Sequence, residues 1–140
     1  MEMQFTPYIL MNGRAKEAIE YYREVLDAEV KFQQTFGEGP ADEAKNFKEE
    51  EQDLIAHAVL NFGGASLMIA DMIPEVPFQS GSQISICITV GDAQTAERLY
   101  DKLREQGEVK LELQNVYFSP AYAIVTDPFG VTFQIFAARG

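Results

Sequence analysis

Cysteine occurs once in the 140 residues, as Cys87, so no intramolecular disulfide can form and the chain suits a reducing compartment. Basic residues are scarce too: 11 lysines and arginines face 22 aspartates and glutamates, for a formal net charge of -11. A field of that sign repels phosphate backbones, so no nucleic-acid partner is expected. No apolar run approaches the roughly 20 residues that span a bilayer, so no membrane partner is expected either. The opening Met-Glu-Met-Gln-Phe-Thr-Pro has an acid and no basic region, unlike a secretory signal. These absences lead to the expectation of a cytoplasmic protein forming a single domain over 1–140. Hydrophobic residues make up 46%, enough to build a core in a chain of this length.

What is present has an order. Pro7 to Met11 is a short apolar segment, followed by Asn12-Gly13, where Asn12 suits a helix cap or a turn. Ala15, Ala18, Ile19, Tyr22, Val25 and Leu26 recur at helical spacing, with Lys16, Glu17, Glu20, Arg23 and Glu24 between them as the solvent face. Strands are predicted over Ala28–Gln33, Leu54–Phe62 and Ala65–Ala70, the last two joined by Gly63-Gly64, a hairpin signal. The stretch from Thr35 to Asp53 reads as a long polar loop, and its cluster Glu49, Glu50, Glu51 and Asp53 as a solvated loop or short helix.

Ile73–Gly81, with two prolines and a glycine, reads as a linker. The order then repeats: a strand over Ile84–Val90, and a helix striped with Ala96, Leu99, Tyr100 and Leu103. Gly107 is placed to end that helix in a left-handed conformation. Strands follow at Val109–Leu113, Ala121–Thr126 and Val131–Phe136, with Asp127-Pro128-Phe129-Gly130 as the last turn. Ala18 and Tyr22 match Ala96 and Tyr100 at an offset of 78, and Gly64 matches Gly130 at 66. Two copies of one unit are implied, module 1 over about 4–72 and module 2 over about 82–140, separated by the linker 73–81.

Alternation within the strands separates their faces. Ile86, Ile88 and Val90 share one face and Ser85, Cys87 and Thr89 the other; Phe133 and Ile135 likewise oppose Thr132, Gln134 and Phe136. The apolar face is expected to take the helix. The mildly polar face carries too little charge for a merely solvated surface and suits a cupped binding surface.

Several stretches together resemble the PhnB-like branch of the vicinal-oxygen-chelate superfamily, the group of glyoxalases, bleomycin-binding proteins and dioxygenases. They are Pro7-Tyr8-Ile9-Leu10-Met11-Asn12-Gly13, Glu17 to Tyr22, Val25 to Val30, His57-Ala58-Val59-Leu60, Gly64 to Asp71, and Asp127 to Gly130. The resemblance implies an α+β fold of two βαβββ modules, cupped mixed sheets with helices on the convex face, and a homodimer with ligand pockets inside the sheets. It also implies that Asp27 stands where relatives end the first helix with glycine. Where such proteins hold a metal, His or Glu on the first and fourth strands of each half supply it. Counted from the helix tyrosines and hairpin glycines, those positions here are Pro7, Met68, Ser85 and Gln134. Proline has no ligand atom, a thioether is soft, and the remaining two are neutral and weak, so no metal and no other cofactor is expected.

His57, the only histidine, is the candidate catalytic residue, as a general base or proton donor. A histidine at the core or rim, bonded to a backbone carbonyl, is the other reading. The ligand pocket is expected to comprise Ile9, Met11, His57, Met68, Ser85, Cys87 and Gln134, and some of Phe32, Phe36, Phe78, Tyr117, Phe118 and Tyr122 should wall it. Asp71 is a turn former or a ligand contact at the pocket mouth. The expected function is binding of a small molecule in a metal-free pocket, with or without metal-independent catalysis. Sequestration of a drug, as in the bleomycin-binding relatives, and a divalent-metal-dependent lyase or dioxygenase are the alternatives.

Overall fold

Ala15, Ala18, Ile19 and Tyr22 are all but inaccessible to solvent, the i, i+3, i+4, i+7 stripe of an amphipathic helix. In the computed structural model, which describes residues 3–72 and 76–139, they line helix α1, Ala15–Leu26. Its end is set by Asp27, whose φ of 55° and ψ of 35° are left-handed, as its position suggested. The Ala28 N–H reaches back to Tyr22 O at 3.2 Å and closes the turn. Its start is not capped by Asn12, which lies in the bend before the helix. The buried carboxylate of Asp71 accepts from Ala15 N–H at 3.0 Å and from Ile55 N–H at 2.9 Å. It thus joins a helix start to a strand start through two charge-assisted bonds. Asp71 is therefore a clamp in the scaffold, not the residue at a pocket mouth that its sequence position suggested.

The chain divides into two units between Gln79 and Ser80. Part of the expected linker, residues 73–75, lies outside the described residues. In the first unit, β1 (Tyr8–Met11), β2 (Glu29–Thr35), β3 (Ile55–Phe62) and β4 (Ala65–Asp71) form a sheet of order β1-β4-β3-β2. β1 runs parallel to β4, with Tyr8 opposite Met68 and Ile9 opposite Ile69; the other pairs are antiparallel. The β3–β4 turn places Gly63 at φ 65° while Gly64 stays outside the left-handed region, the pattern of a II′ hairpin.

The stretch expected to be a long loop contains helix α2 (Ala41–Ala44) and a 3₁₀ turn over Glu49–Glu51. Gln52 ties them, its Nε2 donating to Ala44 O at 2.8 Å and Phe47 O at 3.0 Å. The Phe36 ring packs on Phe47 at 4.4 Å. Isolated polar residues thus gain order from one side-chain clasp that periodicity does not reveal.

In the second unit, β5 (Ile86–Val90), β6 (Glu108–Val116), β7 (Ser119–Thr126) and β8 (Thr132–Ala137) repeat the order as β5-β8-β7-β6, with β5 parallel to β8. Helix α3, Ala93–Gln106, lies against this sheet through buried Ala96, Tyr100 and Leu103. It opens on Asp92, whose Oδ1 takes the Thr95 N–H at 2.7 Å. That bond holds the carboxyl below its usual range. Gly107 does not end α3 in a left-handed conformation; its φ is -99°. A Cβ there would come within 2.6 Å of Thr126 O and 2.7 Å of Leu103 O, so glycine is required by space, not by dihedral angle. Both units are βαβββ modules, and the α+β architecture is as expected.

Candidate functional site

Each sheet buries one face under its helix and leaves the other open. On β7 and β8 the alternation is complete: Ala121, Ala123, Val125, Phe133, Ile135 and Ala137 are buried, while Tyr122, Ile124, Thr126, Thr132, Gln134 and Phe136 are half-buried on the other side. Cys87 and Thr89 continue that open face on β5, and Cys87 sits directly opposite Gln134. Ser85, the residue leading into β5, accepts a hydrogen bond from Gln134 Nε2 at 3.0 Å. Tyr122 donates its hydroxyl to Gln134 Oε1 at 2.6 Å. One hydrogen-bonded row therefore runs from β7 through β8 to the start of β5. Beside it the Phe118 ring stacks on Phe136 at 5.9 Å and meets Tyr122 edge-on at 4.9 Å.

The first sheet assembles a different set. His57 on β3 lies on the open face, with the Tyr8 hydroxyl 2.7 Å from its Nδ1. The Tyr8 and Phe32 rings flank the imidazole at 5.5 and 5.9 Å. Partial burial raises the Tyr8 phenol above its ordinary value. Met68 lies on the same face, directly opposite Tyr8 and Val59.

Ile9 and Met11, both expected in the pocket, are core residues at 9% and 2% exposure. Their neighbours Tyr8 and Leu10, each 46% exposed, take the open face instead. The physical reason is one residue of loop. Three residues separate β1 from α1, Asn12 to Arg14, but only two separate β5 from α3, Gly91 and Asp92. The helix offset of 78 therefore becomes 79 on the first strand: Ile9 matches Ile88, each paired with a buried isoleucine of the fourth strand. A shift by one reverses every side chain of a strand.

The structure thus brings Ser85, Cys87 and Gln134 to one open face, and His57 and Met68 to another. Tyr8 and the row through Tyr122 were missed as site residues. The four residues of β1 are all apolar or aromatic, so alternation there carries no signal; Tyr122 was singled out only as a wall. Phe32, Phe118 and Tyr122 do lie at the open faces, whereas Phe36 packs on Phe47 and Tyr117 projects from the β6–β7 turn at 93% exposure.

A family model, Glyoxalase/Bleomycin resistance protein/Dioxygenase superfamily, matches residues 4–135. The chain belongs to this superfamily. Protein YjdN of Escherichia coli K12 is 30% identical over 139 residues, covering 95% of this chain and 94% of that protein. Among solved structures, protein PA1353 from Pseudomonas aeruginosa matches 99% of this chain and 100% of its own, with a TM-score of 0.87 and 29% identity. The PhnB protein from Bacillus cereus matches 97% and 100% at a TM-score of 0.77 and 20% identity, which supports the fold expected from the PhnB-like resemblance.

The superfamily's metal can be tested against the side chains at its expected place. With the corrected register, the open-face positions on the first and fourth strands are Tyr8 and Met68 in one sheet, Cys87 and Gln134 in the other. Both ends of the Gln134 amide are already committed, and the Tyr8 hydroxyl is bonded to His57. Neither set offers a carboxylate to offset a divalent charge. Among the described residues no group of three or more His, Cys, Asp or Glu could hold a metal ion. The residues do not fit a hard divalent cation.

Proposed function

We propose that the chain binds an uncharged small molecule on the open faces of its sheets, without a protein-held metal. The observation that supports this is the distribution of charge. Across β1, β3, β4, β5, β7 and β8, Asp71 is the only acidic or basic residue apart from His57, and its carboxylate is buried in the helix clamp. Lysines and glutamates occupy α1, α3, β2 and β6 instead, where a solvated surface needs them. Aromatic and aliphatic walls with a few convergent polar groups are the make-up of small-molecule sites.

A fragment library, followed through backbone amide shifts, tests the reading. Shifts at Tyr8 and His57 on one face, or at Ser85 and Gln134 on the other, are the expected result; fragments that perturb only the helices or loops would sink it. Elemental analysis of untagged protein tests the metal-free half, and a stoichiometric metal would return the chain to the metalloenzymes. Whether binding leads to chemistry rests on His57. If a turned-over ligand is found, His57→Ala should abolish turnover with binding intact, whereas unchanged turnover would place His57 in the scaffold. The exposed Phe5, Ile84 and Tyr117 are apolar surface that a second copy would cover. A homodimer is the state expected from sedimentation velocity.

A further inference from the structure

The row Tyr122, Gln134 and Ser85 has a direction. The 2.6 Å contact between Tyr122 Oη and Gln134 Oε1 has the length of an O–H···O bond, and the 3.0 Å contact from Gln134 Nε2 to Ser85 Oγ that of an N–H···O bond. Reversing the amide would put a nitrogen 2.6 Å from the phenol, shorter than N–H···O bonds run. Tyr122 therefore donates to the amide oxygen, and the amide donates to the serine oxygen. The Ser85 hydroxyl has its acceptor side served and its proton still to give. Among the described residues none takes that proton. Elsewhere on this face Thr126 pairs with Thr132 at 2.8 Å and Cys87 with Thr89 at 3.9 Å; each pair keeps one proton, but only Ser85 ends a row whose direction is fixed. A donor polarised through a chain of bonds is a better donor.

We infer that Ser85 is the hydrogen-bond donor of the second sheet's binding face, and that its ligand carries a neutral acceptor oxygen. A ketone, ester or amide oxygen meets the Ser85 proton. Anionic oxygens are disfavoured, because β5, β7 and β8 carry no lysine or arginine and the chain's net charge is -11. This inference rests on the open faces being binding surfaces.

The test compares acetophenone with α-methylstyrene, which has the same shape with a methylene in place of the carbonyl oxygen. Both are titrated against wild type, Ser85→Ala and Tyr122→Phe by amide shifts, with urea midpoints confirming that each variant is folded. Ser85→Ala should lower the acetophenone to α-methylstyrene affinity ratio by about 2- to 10-fold, the net worth of one hydrogen bond. Tyr122→Phe should lower it less, by loosening the amide that orients the serine. An unchanged ratio in Ser85→Ala, with both compounds bound, overturns the donor role. So does binding of neither compound while other fragments still shift open-face amides. A library in which nothing shifts those amides overturns the binding surface, and the inference with it.

Discussion

Single residues carry more of this fold than their positions in sequence announce. Asp71 is the clearest case, since two buried backbone N–H groups, those of Ala15 and Ile55, depend on one carboxylate. Removing it strands both donors away from water. Asp71→Ala should cost about 2–4 kcal/mol in urea unfolding. Asp71→Asn should cost less, because one amide oxygen can still serve one of the two. Tyr8 makes a second residue-scale prediction. Its phenol resists ionisation in the folded state, so folded protein holds the proton longer than unfolded protein does. Stability should be unaffected below the ordinary phenol range near about 10 and fall as pH rises through it. Unfolding curves of Tyr8→Phe should show a shallower alkaline decline than wild type; identical declines would show that Tyr8 ionises freely. The sequence singled out His57, but not the tyrosine hydroxyl 2.7 Å from its ring, because 49 residues separate the two.

At the scale of elements, strand parity decides which residues can meet a ligand. The apolar stripes of α1 and α3 were legible at a fixed offset because helical periodicity survives a one-residue error. A strand does not survive it: the extra residue before α1 moved Ile9 and Met11 to the core and Tyr8 and Leu10 to the open face. On β8 the same reasoning was right for Phe133, Gln134 and Ile135, since polar and apolar residues alternate there. Gly107 shows a residue correctly marked for an incorrect reason. Its dihedral angles are open to any residue, yet Thr126 O and Leu103 O leave no room for a Cβ. Gly107→Ala should destabilise by about 1–3 kcal/mol through overpacking. A left-handed glycine would instead have tolerated asparagine, so Gly107→Asn should be at least as damaging as Gly107→Ala in the same denaturant series.

For the whole molecule, charge and binding surface are separate. The excess of acids sits on helices, on β2 and β6, and in the segment around the 3₁₀ turn, not on the open faces of the central strands. Binding of a neutral fragment should therefore be nearly indifferent to salt between about 50 and 500 mM, beyond which charges are screened within a few ångströms. Sequestration of a cationic drug by the acidic surface would instead weaken steeply over that range. Sequence alone determined the two βαβββ modules, the helix stripes, the hairpin between β3 and β4 and the family, because periodicity, turn residues and motif order are local properties. The tertiary structure decided which face of β1 is open, that Asp71 caps α1, and that Tyr122, Gln134 and Ser85 form one bonded row. Those depend on strand register, and register is set by pairing between residues far apart in the chain, which no local pattern encodes.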